Sequence, residues 1–345
     1  MLPYLIYTLV IVLLYPRAKK SRWFRLVMFL VTICFIGFRK DVGTDYESYA
    51  DYYNSYADFF DIGYTALSLF LHSHGCDVAV LFFIMAALSY GILYLAVELN
   101  NDIDKGTTSL LLCLLTITTS VNGIRQFLAV CTFMLSYCCI KNRKFLLFLV
   151  CIGAGALFHE SVLILIPFYF FADKHLPAKF YIIIYIASFV FTTMSLQEIM
   201  GPFTNFLSEN EDEFHRYNRY ILGDSYSSSY FSLGVFVGLL NYIILLFFSI
   251  RLKLYEKYPI IFNMFFVLCI VYNMRIASPL FNRIQMYFTM YTSYLLPLVI
   301  KRLNVKTAKP LIVYYTISFT SMSIKYIFFT PISRMAVYHD VFGLF

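Results

Sequence analysis

The sequence predicts an all-α polytopic membrane protein with about twelve transmembrane helices. Two compositional observations indicate this class: the mean hydropathy is +0.72, and 60% of the 345 residues are hydrophobic while 14% are charged. A soluble domain has about 25% charged residues. The third observation is the pattern, because apolar runs separated by short polar breaks recur along the whole chain.

The predicted spans each consist of an apolar run with polar residues at its ends. In chain order they cover residues 2–16, 23–38, 77–98, 108–121, 123–140, 145–158, 161–172, 180–197, 231–250, 260–276, 284–300 and 310–330. Several are shorter than the ~20 residues of a straight span, so we expect those to tilt, break or lie deep in the bundle. The first is interpreted as a span and not as a cleaved signal, because it lacks a charged N-terminal region. Residues 62–74 predict an additional interfacial or re-entrant segment.

Basic residues in the loops predict the orientation, since short cytoplasmic loops are rich in Lys and Arg. If residues 17–25 are cytoplasmic and the sides alternate, the cytoplasmic loops hold most of the 27 Lys and Arg residues, and the opposite side holds most of the 20 acidic residues. The net charge of +7 is therefore interpreted as a cytoplasmic flank and not as a nucleic-acid surface. We treat residues 1–345 as a single integral membrane domain with both ends outside.

Cofactor and metal signatures are missing from the sequence. The eight cysteines show no metal or redox spacing, and most fall inside apolar runs. There is no phosphate-binding glycine loop, dinucleotide fingerprint or HExxH motif. We predict no cofactor, no metal and no nucleic-acid partner.

The first long outer loop, residues 39–76, is rich in tyrosine and acidic residues. Tyr49, Tyr53, Tyr56 and Phe60 recur at helical spacing and predict one helix face. That face fits an amphipathic helix lying on the membrane surface. It also fits aromatic rings that stack on sugars, with carboxylates that bind hydroxyls, and the two interpretations are compatible.

The second long outer loop, residues 198–230, is long for a membrane connection, and such loops are usually functional or disordered. Phe214, Tyr217 and Ile221 repeat the helical stripe, which favours a structured lid.

The unusual polar residues all fall on the predicted outer side. They are Arg39 and Asp45 after the second span, Asn122, Arg125 and Gln126 at the start of the fifth, His159 and Glu160 after the sixth, and Arg275 and Arg283 around the turn between the tenth and eleventh. Asn122, Arg125 and Gln126 share one helix face. An outward cavity lined by arginines is the simplest arrangement that offsets their desolvation.

Each of these residues also has a purely structural interpretation. Arg125 begins a span and is able to snorkel to water, and His159 is able to bond a backbone carbonyl at a helix end. Arg283, in a turn, fits a solvated flank. Arg275 lies inside an apolar run, where snorkelling is harder, so function is favoured there. Lys325 lies within the last span and has no assigned role.

A lipid-linked diphosphate is the ligand that suits such a cavity. Arginine keeps its charge and matches phosphate with a planar fork of donors. The anionic head would meet the arginines, the tail would stay in the bilayer, and an attached sugar would reach the tyrosine-rich loops.

Three segments carry a family resemblance. "FRKDVGTDYESY" (38–49), "NGIRQFLA" (122–129) and "LFHESVLILIPFYFF" (157–171) resemble signature segments of EpsG/Wzy-type polysaccharide polymerases. The resemblance implies a GT-C-like membrane glycosyltransferase of the bacterial inner membrane, active at the periplasmic face, where loops 39–76 and 198–230 would lie. It implies O-antigen or exopolysaccharide polymerisation, in which a growing glycan moves from undecaprenyl diphosphate to a lipid-linked repeat unit. A chain-length regulator and a flippase are the implied protein partners.

The resemblance assigns roles to the polar residues. Arg125 and Arg275 would stabilise the departing diphosphate. His159 would act as the base for the acceptor hydroxyl, with Glu160 or Asp45 as substitutes. Alternatively, His159 would hold the diphosphate and leave a carboxylate as base. The residues expected to contact substrate are Arg39, Asp45, Tyr46, Tyr49, Asn122, Gln126, Arg275 and Arg283.

Three other functions remain open from the sequence. A lipid-linked oligosaccharide flippase needs a similar cationic cavity, but its charges should line both leaflets. An O-antigen ligase is the nearer alternative among enzymes. A transporter of small solutes predicts internal repeats, and no clear duplication is present.

Overall fold

The computed structural model describes residues 2–55, 61–192, 232–275, 279–329, 335 and 338–342. Loop 198–230, together with Tyr56 and Phe60 of the first loop, lies outside the described residues. The predicted lid and half of the aromatic stripe therefore stay predictions.

The described chain is mostly helical. Its helices are α1 (Leu2–Ala18), α2 (Arg22–Gly37), α3 (Tyr46–Asn54), α4 (Ile62–Ser73), α5 (Val78–Leu99), α6 (Lys105–Leu115), α7 (Ile117–Asn122), α8 (Ile124–Lys141), α9 (Phe145–Ala156), α10 (Phe168–Phe171), α11 (Ala178–Ser188), α12 (Leu233–Arg251), α13 (Leu254–Lys257), α14 (Pro259–Met274), α15 (Pro279–Thr289), α16 (Thr292–Arg302) and α17 (Val305–Phe329). Two 3-10 turns cover Glu160–Leu165 and Phe189–Thr192. Strands β1 (Arg39–Lys40) and β2 (His339–Asp340) pair antiparallel, with Arg39 opposite Asp340.

Four of the described helices are long and apolar enough to cross a membrane: α5, α8, α12 and α17. Shorter apolar helices accompany them, among them α1, α9 and α14. The chain is therefore a helical, polytopic membrane protein.

Three of the predicted spans are each divided into two shorter elements. Residues 108–121 divide into α6 and α7 at Thr116, whose hydroxyl bonds back to the Leu112 carbonyl at 2.6 Å and meets the Tyr90 hydroxyl at 2.8 Å. Residues 161–172 form a 3-10 turn and the short helix α10, separated at Pro167. Residues 284–300 likewise divide into α15 and α16.

The described chain separates into two compact units. The first comprises residues 1–173 and 296–345, and the second comprises residues 174–295. In the first unit, α5 packs against α2 and α8, and α8 packs against α9. In an 18-residue stretch of α8, 72% is buried inside the protein, whereas in a stretch of the same length in α17 only 22% is buried. Helix α8 therefore lies inside the first unit, and α17 presents most of its surface outward.

Ion pairs close the end of the first unit that the sequence assigns to the cytoplasm. Arg25 binds both carboxylate oxygens of Glu98 and donates to the Ala18 carbonyl at 2.9 Å. Asp102 accepts from Lys141 at 2.7 Å. The basic residues that predict orientation are thus also used to tie helix ends together.

The second unit is held by polar contacts between its helices. Tyr181 of α11 donates to Asn263 of α14 at 2.9 Å, and Asn273 of α14 donates to Ser188 at 2.8 Å. Gly238 of α12 leaves room for Tyr272, since a Cβ there would lie 2.0 Å from the Tyr272 hydroxyl oxygen.

Candidate functional site

Arg39 is enclosed by the backbone at the end of α2. Its side chain is 1% exposed, and its guanidinium donates to the carbonyls of Ile36 at 2.8 Å, Val42 at 3.3 Å and Val121 at 3.3 Å. The Phe82 ring lies 4.8 Å from its Cζ. Burial lowers the pKa of Arg39 to about 10, which leaves it charged at neutral pH. The structure therefore gives Arg39 a role in closing the loop after α2, and its expected contact with substrate stays a prediction.

Gly43 brings that loop against the end of α7. Its φ is +104°, and a Cβ would lie 2.9 Å from both the Asn122 Oδ1 and the Val121 carbonyl oxygen. A side chain at this position would thus be strained by its backbone and blocked by its neighbours.

Asn122 joins three parts of the first unit. Its Oδ1 accepts the Thr44 N–H at 2.7 Å, and its Nδ2 donates to the Thr118 carbonyl at 3.1 Å and to the Tyr326 hydroxyl at 3.0 Å. The Thr44 hydroxyl donates to Asp45 at 2.8 Å. Asn122 therefore anchors the loop that carries Asp45, and its expected contact with substrate stays a prediction.

The tyrosines of α3 pack into the protein. Tyr46 stacks on Phe82 with ring centroids 4.6 Å apart, and Tyr49 lies 5.6 Å from Tyr64. The Tyr46 and Tyr49 side chains are each 6% exposed. Burial raises the pKa of both phenols, and for Tyr49 the nearby Arg125 charge partly offsets this effect. The described part of the predicted stripe, Tyr49 and Tyr53, therefore packs against α4 and α5, and sugar contact by Tyr46 and Tyr49 stays a prediction.

Arg125 stands at the first turn of α8 in contact with a carboxylate. It forms an ion pair with Asp61, and the two side chains are 17% and 16% exposed. Its Cζ lies 6.0 Å from the Tyr49 ring centroid and 5.8 Å from that of Tyr64, which fits cation–π attraction. Arg125 is thus held in place yet partly open to solvent.

Asp61 connects Arg125 to the segment after α9. Its Oδ1 accepts the Glu160 N–H at 3.3 Å. Two residues later, the Gly63 N–H donates to the Leu157 carbonyl at 2.7 Å, and a Cβ on Gly63 would lie 2.7 Å from that oxygen. The start of α4 is therefore docked against the 157–160 segment.

The hydrogen bonds of His159 define its neutral tautomer. Its Nδ1 accepts the Ser161 N–H at 3.3 Å and lies 2.8 Å from the Ser161 hydroxyl oxygen. A backbone N–H only donates, so the neutral imidazole carries its proton on Nε2. His159 is half-buried, and Glu160 beside it is exposed. This geometry favours an imidazole that donates through Nε2.

Gln126 is buried within α8, with 7% exposure.

The contacts of Asp61 bring together one cluster at the same end of the first unit: Arg125, Asp61, His159 and Glu160. Arg39 and Asn122 support the loops beside it.

Arg275 and Arg283 belong to the second unit. Arg275 follows α14 and donates to the Tyr272 hydroxyl at 3.0 Å, with its Cζ 3.9 Å from that ring's centroid. The Tyr272 hydroxyl in turn donates to the Val235 carbonyl at 2.9 Å. Arg283 is exposed on α15. The predicted convergence of Arg275 with Arg125 and His159 stays a prediction.

Asp61 is the cluster residue that the sequence reasoning missed. An Asp directly before an apolar helical run is a signal for a helix start, and Asp61 does precede α4. That signal predicts a cap and says nothing of an arginine 64 positions away.

Comparison with known proteins identifies a family. The EpsG family model matches residues 22–339, which is most of the chain and includes the three resembling segments. No curated protein and no solved structure matches the chain. Since the family match extends from α2 to the last described strand, this polytopic membrane protein belongs to the EpsG family.

Proposed function

We propose that the protein polymerises polysaccharide repeat units, moving a growing glycan from undecaprenyl diphosphate to a lipid-linked repeat unit at the outer membrane face. Membership of the EpsG family supports a polysaccharide-polymerase function in a membrane protein. The observation that carries the proposal is the placement of Arg125, a partly exposed cation held by Asp61, Tyr49 and Tyr64 beside His159 and Glu160.

Arg125 is the residue that receives the diphosphate. Its charge persists at any physiological pH, and its fork of donors matches phosphate oxygens. Negative charge grows on the diphosphate as the glycosyl bond breaks, so a preplaced guanidinium stabilises the transition state more than the bound donor. Because the energy of the step is stored in the glycosyl–diphosphate bond, the reaction needs no nucleotide.

His159 contributes a hydrogen bond to the same group. With Nδ1 accepting the Ser161 N–H, Nε2–H is the ring donor that would bond a ligand oxygen. The base is then a carboxylate, either Glu160 or Asp45. The acceptor hydroxyl gives its proton to that carboxylate while its oxygen bonds to the anomeric carbon, and the bond from that carbon to the diphosphate oxygen breaks.

The wider setting belongs to the same proposal. We assign the chain about twelve spans in a GT-C-like arrangement in a bacterial inner membrane, with the Arg125 cluster on the periplasmic side. A chain-length regulator and a flippase that delivers the repeat units are the expected protein partners.

Complementation in the host tests this function. A deletion strain is expected to carry lipopolysaccharide whose core is capped with a single repeat unit. The wild-type gene is expected to restore a ladder of glycan lengths on a gel. Arg125→Gln, at wild-type protein level, is expected to give the deletion pattern. Arg143→Gln, which breaks an ion pair with Asp173 at the other end of α8, serves as the matched control and keeps the ladder.

Other outcomes would identify another function. Loss of all attached glycan with accumulation of long lipid-linked chains indicates a ligase. Loss of all glycan without such chains indicates a flippase. A normal ladder from well-expressed Arg125→Gln would remove the site from the proposal.

A further inference from the structure

Asp61 occupies the position on Arg125 that a phosphate oxygen would take. Its Oδ2 contacts the Arg125 Nη1 directly, so a ligand cannot bind this edge of the guanidinium while the pair is intact. Building on the proposed function, we propose that Asp61 is the resident counter-ion of Arg125. It is displaced when the lipid diphosphate binds, and by returning it expels the undecaprenyl diphosphate product.

Arg125 is able to change partners without losing its position. The rings of Tyr49 and Tyr64 lie 6.0 and 5.8 Å from its Cζ, and both rings are buried. Their attraction for a cation does not depend on which anion completes the site. The guanidinium therefore stays in place while one anion replaces another.

Asp61 is likewise not stranded when Arg125 is taken by a ligand. Its Oδ1 keeps the Glu160 N–H at 3.3 Å, and the residue directly precedes α4. The start of a helix stabilises a negative charge. With 16% of its side chain exposed, the carboxylate also retains access to water. Displacement therefore leaves a solvated, hydrogen-bonded anion.

Product release is the step that needs a carboxylate competing with the diphosphate for Arg125. In the donor, each phosphate of the diphosphate bridge carries one negative charge. After transfer, the terminal phosphate loses its ester and gains charge, so the product binds a cation more tightly than the donor does. Release of a tightly held product often limits turnover. A carboxylate already placed on Arg125 weakens product binding and restores the empty site.

The test separates binding from turnover. Purified full-length protein in phosphatidylcholine nanodiscs, which carry no anionic lipid, is titrated with undecaprenyl diphosphate. Asp61→Asn keeps the side-chain shape and an oxygen for the Glu160 N–H but removes the charge. We expect it to bind the product about tenfold more tightly, which is the gain from removing a partly exposed ion pair that competes for Arg125.

Kinetics gives the second readout. Asp61→Asn is expected to slow steady-state polymerisation about tenfold and to slow single-turnover transfer by less than that, because release becomes limiting. Asp102→Asn is the matched control, since Asp102 pairs with Lys141 at the opposite end of the first unit. It should match the wild type in both measurements. Asp61→Ser, which also keeps an oxygen before α4, is measured in parallel in case Asp61→Asn does not fold.

The two proposals fail in different ways. Weaker or unchanged product binding by the folded Asp61 variants would show that Asp61 only positions Arg125, and the counter-ion role would be wrong. Product binding by Arg125→Gln equal to that of the wild type would instead remove Arg125 from the ligand site, whatever the Asp61 variants do.

Discussion

The regions around Arg39 and Arg125 show two ways in which one protein holds a guanidinium. Arg39 is 1% exposed, and three backbone carbonyls take its donors. Arg125 is 17% exposed and is held by a carboxylate and two rings. Backbone carbonyls that close a loop cannot be exchanged for a ligand without opening that loop, whereas a partly exposed carboxylate can be exchanged. The difference fits the proposal that Arg125 serves the ligand, while Arg39 supports the fold.

Replacement of Arg39 should give the largest loss of stability. Arg39→Met leaves the carbonyls of Ile36, Val42 and Val121 without this donor, and orphaned buried groups cost about 1–3 kcal/mol each. We expect the free energy of unfolding to fall by about 4 kcal/mol, measured by unfolding in mixed micelles. Arg143→Met, at an ion pair in which the arginine is 47% exposed, is the control and should lose less than about 1 kcal/mol. Equal losses in the two variants would break the comparison.

Gly43 tests the loop that Arg39 closes. Gly43→Ala should destabilise by about 3 kcal/mol, because a strained backbone and two close oxygens act together. Gly75→Ala is the control: Gly75 also has a positive φ, +70°, but no atom lies within 4 Å of its added Cβ. The difference in melting temperature between the two variants measures the steric clash of the added Cβ with Asn122 and Val121. If both variants lose the same stability, the loop at Gly43 is not in close contact with Asn122.

Asn122 tests the link from the loop to α17. Asn122→Ala removes the acceptor for the Thr44 N–H and the donor to Tyr326. We expect a loss of about 2 kcal/mol. The control is Asn142→Ala, whose side chain bonds only the Cys138 carbonyl on an exposed helix end among the bonds described. Thermal melting should distinguish the two, and a harmless Asn122→Ala would mean that the loop is held by Arg39 alone.

Arg125 should give the smallest loss of stability and the largest loss of activity. Arg125→Gln removes a partly exposed ion pair worth about 1 kcal/mol. Losing one preplaced charge at the transition state slows a reaction about 100-fold or more. Arg125→Lys keeps the charge without the fork and should retain part of the activity. Polymer length and melting temperature, measured on the same preparations, check both statements. If the Arg125 variants lose activity and stability in parallel, Arg125 has a structural role like that of Arg39.

Much of the helical framework follows from the sequence alone. The spans predicted at 77–98 and 123–140 are the helices Val78–Leu99 and Ile124–Lys141. These ends are sharp because the apolar runs stop at strongly polar residues. The break at Pro167 and the back-bond of Thr116 are local effects that hydropathy does not weigh.

The site is less predictable because its contacts join distant parts of the chain. The sequence selected Arg39 and Arg125 together, since both lie at the outer ends of apolar runs. The two arginines differ in their partners. The long-range partner of Arg39, Val121, lies 82 positions away, and Asp61 lies 64 positions from Arg125. The described half of the tyrosine stripe, Tyr49 and Tyr53, does lie on one buried face of α3, but periodicity does not say whether lipid, sugar or another helix covers such a face.

The most direct test of the account is an experimental structure with undecaprenyl diphosphate bound. The distance from the Arg125 guanidinium nitrogens to the nearest phosphate oxygen decides it. The account predicts about 2.7–3.2 Å, with the Asp61 contact broken and Arg39 still bound to its three carbonyls. A diphosphate bound elsewhere while the Arg125–Asp61 pair stays intact would contradict it.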